Sequence, residues 1–111
     1  MLVVAVRDLV FRSKIHAAAE RLGVPMKLAP RGAPLEEAVR EVPGPTVLAD
    51  LAEPGLLDQV RALKRAGPVK VIGFAGHLQQ ALLDQAVAAG VDEVLSRGQL
   101  VGRLDDLIRQ A

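Results

Sequence analysis

Thr46-Val47-Leu48-Ala49-Asp50 is the stretch on which the reading of this chain turns. Its apolar residues run without alternation, the pattern of a strand covered on both faces, and the run ends in an acid. Four more stretches of the same kind flank it. Leu2 to Val6 lies upstream with the weaker Met26 to Ala29, and Val69 to Phe74 and Asp92 to Leu95 lie downstream.

Each gap between these strands carries apolar residues at helical spacing. Phe11, Ile15, Ala18 and Leu22 predict a helix that Asp8 starts and Gly23 ends. Leu35, Ala38, Val39 and Val42 predict a short helix after Pro34. Leu57, Val60 and Leu63 predict a third that stops at Gly67-Pro68, and Leu82, Leu83, Ala86 and Val87 a fourth that ends at Gly90. Val101, Leu104, Leu107 and Ile108 close the chain with a fifth. Strict alternation with short connections requires parallel strands and right-handed crossovers. The expected fold is therefore α/β: a flavodoxin-like three-layer sandwich, with a five-stranded parallel sheet of order 2-1-3-4-5 and five helices. In that order a crevice opens at the carboxyl ends of strands 1 and 3. Asp8 follows the first strand and Asp50 ends the third, so both acids are expected at the crevice.

Composition narrows the function. Residues 1–111 suit one domain with an aliphatic core, since Phe11 and Phe74 are the only aromatics. Fourteen basic residues against thirteen acidic ones give a net charge of +1 and no basic excess of the kind that binds nucleic acid. Without cysteine there are no disulfides and no thiolate chemistry. No apolar run approaches the roughly 18–20 residues of a membrane span, and the N-terminal apolar run is too short for a signal peptide. The expectation is a cytoplasmic protein that binds neither nucleic acid nor membrane. The lack of asparagine, with many Ala, Leu, Arg and Pro, leans toward thermophile composition.

Val47-Leu48-Ala49-Asp50-Leu51, followed by Pro54 and Gly55, resembles the stretch of response-regulator receiver (CheY-like) domains that ends in the phosphoacceptor aspartate. Ala88-Ala89-Gly90-Val91-Asp92-Glu93-Val94-Leu95 resembles the run into the receiver's last strand. The resemblance covers essentially the whole chain. It implies a pocket in which the phosphoacceptor lies beside Mg²⁺ held by an acidic pair after strand 1, with a Thr or Ser after strand 4 and a Lys after strand 5. Position by position, Asp50 takes the phosphoacceptor place. The acidic pair falls on Val6 and Arg7, with Asp8 one place late; the hydroxyl falls on Ala75, and the lysine on Arg97. Mg²⁺ takes carboxylate oxygens and gives up water reluctantly, so valine and arginine are poor substitutes. The resemblance thus points to a degenerate receiver, or pseudo-receiver, without catalytic residues, bound metal or cofactor.

Three readings follow. The leading one is a non-catalytic regulatory or interaction module in which Asp50 pairs with Arg7 or Arg97, with Asp8 near by. The second is a working receiver phosphorylated on Asp50 in a two-component relay. The third is a sensor of a small anionic ligand in the strand 1/strand 3 crevice, since the planar fork of arginine suits phosphate or carboxylate. His77 is an accessory candidate near the same edge, and His16 is expected on a helix flank. The face of helix 4, strand 5 and helix 5 is the expected site for a protein partner or a second copy, because receivers commonly associate there.

Overall fold

The computed structural model describes residues 1–30, 32–76 and 78–111. Along the chain run β1 (Leu2–Ala5), α1 (Leu9–Leu22), β2 (Met26–Leu28), α2 (Leu35–Val39) and β3 (Thr46–Asp50). They are followed by α3 (Leu56–Ala66), β4 (Lys70–Ala75), α4 (Gln80–Ala88), β5 (Glu93–Ser96) and α5 (Arg97–Arg109). The strands form one parallel sheet in the order β2-β1-β3-β4-β5, the flavodoxin-like order that the alternation predicts. No helix among the described residues is long and apolar enough to cross a membrane.

Strand periodicity sorts the apolar residues into two layers. On one face Leu2, Val4 and Val6 pack with Ile15 and Ala19 of α1 and with Leu100 and Ile108 of α5. On the other, Val3 and Ala5 meet Leu35 and Ala38 of α2 and Leu57, Val60 and Leu63 of α3. The central strands are therefore buried on both sides, which is why they read as unbroken apolar runs. Phe74 belongs to the first layer, is 1% exposed, and stacks on Phe11 with ring centroids 5.1 Å apart. Beside it in β4, Gly73 makes room for Leu51: a β-carbon there would lie 2.9 Å from Leu51 Cδ1.

The helix ends obey local rules. Asp8 caps α1 by accepting a hydrogen bond from Phe11 N–H at 3.0 Å. Gly23 ends the same helix in the left-handed conformation, with φ 71°. Several boundaries differ from the sequence reading by a residue or more. β1 stops at Ala5, β2 at Leu28, and β4 and β5 each run one residue later than expected. Helix α2 is the largest difference, because it ends at Val39 rather than reaching Val42. There the chain tightens into single turns, with Arg40 N–H donating to Glu37 O and Val42 N–H to Val39 O. The residue preceding Pro43 is disfavoured in a helix.

One polar cluster ties three elements together below the sheet. Asp92 Oδ2 accepts from Val71 N–H at 2.7 Å and from Lys64 Nζ at 2.8 Å, while Lys64 also donates to Val69 O at 2.7 Å. Burial pushes the Asp92 carboxyl up, but the Lys64 and Val71 hydrogen bonds and the Lys64 charge outweigh it and leave it below its ordinary value. With the folded value depressed, the stability contributed by ionised Asp92 is present above the unfolded value and is lost as pH falls through the folded one. Asp92→Ala is expected to lower neutral-pH stability by about 1–3 kcal/mol, because Val71 N–H loses its partner. In urea denaturation the gap from wild type should narrow under acid conditions; a gap that stays constant with pH would show that ionisation of Asp92 contributes nothing.

Candidate functional site

The carboxyl ends of β1, β3 and β4 and the start of α5 meet at one edge of the sheet. Ala49 of β3 pairs with Ala5 of β1 and with Gly73 of β4, and Asp50 pairs with Phe74. Continuing the β1–β3 register by one residue sets Val6 beside Asp50. Ala75 ends β4 opposite Ser96 and is fully buried. Asp50 itself is only 8% exposed, so its charge needs partners.

Two partners are present. Asp50 Oδ1 accepts from Ala52 N–H at 3.1 Å, closing a tight turn after the strand. Asp50 Oδ2 faces Arg97 Nη2 at 3.6 Å, an ion pair longer than a direct hydrogen bond. Arg97 is the first residue of α5, and a reciprocal cap fixes the helix start. Ser96 Oγ accepts from Gln99 N–H at 3.2 Å, and Gln99 Oε1 accepts from Ser96 N–H at 2.9 Å. The Ser96-Arg97-Gly98-Gln99 sequence carries that capping signature openly, and reading it would have placed the helix start. The Arg97 guanidinium also lies 5.8 Å from the Phe11 ring centre, so a cation, two stacked rings and an acid form one connected group.

Arg7 and Asp8 go elsewhere. Arg7 Nε pairs with Glu53 at 2.5 Å, on the loop after β3, rather than with Asp50. The Asp8 carboxylate is engaged as the N-cap of α1, two residues past Val6, which the register sets beside Asp50. His16 forms an exposed i,i+4 pair with Glu20 at 3.6 Å, on a helix flank as expected. His77 lies outside the described residues. Sequence reading passed over Glu53, which draws Arg7 away, and the Phe11–Phe74 stack under Arg97. Neither shows up as a spacing pattern, since both depend on loops and helices meeting across the fold.

These donors do not suit Mg²⁺. An ion at this edge would meet one carboxylate from Asp50, the buried methyl groups of Val6 and the Arg97 guanidinium. Hard cations need several oxygen ligands, and positive neighbours oppose them. Glu53, the next nearest acid along the chain, is already paired to Arg7.

No family model matches the sequence, and no curated protein matches it. Among solved structures, the chain is similar to a response-regulator signal receiver domain from Bermanella marisrubri. That similarity is 27% identity and a TM-score of 0.72 over 96% of each chain. The receiver domain of NtrX from Brucella abortus superposes with a TM-score of 0.78 over 100% of each chain, at 15% identity. The beryllofluoride-activated NtrC4 receiver domain dimer gives a TM-score of 0.76 at 18% identity, with 98% of this chain and 96% of that chain covered. The fold is that of a receiver domain. Within the receiver fold, Asp50 stands at the carboxyl end of the central strand and Arg97 opens the last helix. A receiver architecture is the scaffold of a signalling module, and the site on it determines what any one example does.

Proposed function

We propose that residues 1–111 form one receiver-like regulatory module that works by binding a protein, with the Asp50 site held in a single state by Arg97 instead of being switched by phosphorylation. The observation that carries this reading is the Asp50–Arg97 ion pair at 3.6 Å, in a pocket where Val6 and Ala75 supply no polar atom. In a working receiver a metal would offset the repulsion between the aspartate and the incoming phosphoryl group. Here the arginine offsets the charge of the aspartate permanently. A phosphoryl group on Asp50 would find no hydroxyl at Ala75 to pull on, which removes the usual link from modification to movement of the neighbouring elements.

The partner face in this reading is α4, β5 and α5. Leu83, Val87 and Val94 line a groove there with Gln80, Asp84 and Gln99, and Val87 is 64% exposed. Apolar residues inside a polar rim are the composition of protein interfaces. Arg103 is oriented by Glu93 of β5 at 3.1 Å, so part of that rim is held in place before any partner arrives.

Incubation with acetyl phosphate and Mg²⁺ is expected to leave the intact mass of the wild type and of Asp50→Asn unchanged. Addition of one phosphoryl group to the wild type alone would replace this reading with that of a working receiver, and Arg97 would then be a ligand of the phosphoryl group.

A further inference from the structure

A cavity of about 450 Å³ opens over the carboxyl end of β1, between the β2–α2 connection and the start of α3. That is within the usual size of small-molecule sites. Neither Asp50 nor Arg97 lines it. Its charged lining among the described residues is Arg7, Arg12 and Glu53, two cations against one anion, and Gln59 adds an amide.

The polar groups of this cavity are unequally satisfied. Its carboxylate, Glu53, is occupied by Arg7. Gln59 Oε1 accepts from Leu35 N–H at 2.8 Å, and that bond fixes the amide so that its NH₂ is the end left over. Arg12 is half-buried and makes no ion pair or side-chain hydrogen bond among the described residues. The open capacity on its cationic and amide side chains is donor capacity: the Arg12 guanidinium, the remaining N–H groups of Arg7 and the Gln59 NH₂. Pro30 and Pro34 stand in the wall, adding apolar surface and no competing N–H.

We propose that this cavity binds a small organic carboxylate with a compact apolar body. The anionic end would take a two-pronged hydrogen bond from Arg12, and the body would lie against the proline wall. The cavity adjoins the Asp50 pocket through Val6, but neither Asp50 nor Arg97 lines it, so the proposal does not depend on whether Asp50 is ever phosphorylated.

The test is an NMR titration of the labelled protein with sodium benzoate, its neutral counterpart benzamide, and acetate. Benzoate in the millimolar range is expected to shift the Leu35 and Arg12 amides and the Gln59 side-chain amide. Benzamide and acetate should be much weaker, since each lacks one half of the recognition. Arg12→Gln should weaken benzoate about tenfold, the loss of one charge-assisted contact, while the remote Arg109→Gln should leave it unchanged. The proposal is overturned if benzamide binds as well as benzoate, if Arg12→Gln binds as tightly as wild type, or if shifts gather around Arg97. It is equally overturned if millimolar benzoate produces no shift.

Discussion

Val6→Asp combined with Arg7→Asp is expected to lose about 3–5 kcal/mol of stability in metal-free buffer, the cost of an uncompensated buried charge, and to regain much of it in Mg²⁺. The strand register sets the geometry. Val6 follows the Ala5–Ala49 pair, so an acid there stands beside Asp50 on the buried edge of the sheet. Two adjacent carboxylates repel, and a single partner, Arg97 at 3.6 Å, cannot neutralise both. Replacing Arg7 also removes the Glu53 ion pair and frees a second nearby acid. The same two substitutions that destabilise the apo variant, with Glu53 freed, bring together the oxygen ligands that Mg²⁺ requires. A ligand at a hundred times its Kd stabilises by about 2.7 kcal/mol, and in a domain of this size each kcal/mol moves Tm by about 4–8 °C. Thermal melts of wild type and variant, each with EDTA and with Mg²⁺, measure this directly. A variant that melts at the same temperature in both buffers would show that the edge lacks the geometry of a metal pocket, beyond lacking its ligands. A wild type that responds to Mg²⁺ would contradict the account of the site given above.

Phe74→Ala should lose about 3–5 kcal/mol, the range for a fully buried phenylalanine. In a core otherwise aliphatic, Phe74 is the largest buried side chain and fills the layer under α1 and α5. Its removal leaves a cavity that the neighbouring strand cannot close, because Asp50 and Leu95 are held by the ladder on either side. The loss also reaches the site. Phe11 keeps its place by stacking on Phe74, and Arg97 lies over Phe11. Urea denaturation gives the stability, and the Arg97 side-chain N–H resonance, displaced from the ring, reports the second effect. Phe74→Leu should cost far less, under about 1.5 kcal/mol. If Phe74→Ala cost no more than that, the stack would be peripheral and Arg97 would be positioned by the Ser96–Gln99 cap alone.

The fold was legible because burial on both faces leaves its mark on consecutive residues. Val47-Leu48-Ala49 and Leu2-Val3-Val4 can be strands only if helices cover both sides, and that requirement carries the whole topology. The edge strand β2 and helix α2 read poorly, since Met26–Leu28 is half-exposed and the prolines around it erase periodicity. At the site, the positions of Asp50, Ala75 and Arg97 along the chain could be read from their places relative to the strands. Side-chain direction could not. Arg7 pairs with Glu53, which the turn that Ala52 N–H closes on Asp50 brings round to it. Asp8 offered two uses, and the backbone of α1 took the carboxylate. The donor-rich cavity was invisible for a related reason: Arg12, Gln59 and Pro34 come from three separate segments, and only the completed sheet gathers them.

The two outermost strands of the sheet carry a consequence for how this molecule meets others. β2 has three residues and β5 four, and α2 reaches over the former through Lys27 Nζ, which donates to Ala38 O at 3.2 Å. Unpaired main chain at a sheet margin is a template on which a foreign strand can zip, and margins this short offer it little purchase. Recognition by backbone addition is thereby disfavoured. A partner of the kind proposed would then read the side chains of the helices, where single substitutions alter the match and where binding specificity can be changed without disturbing the sheet beneath.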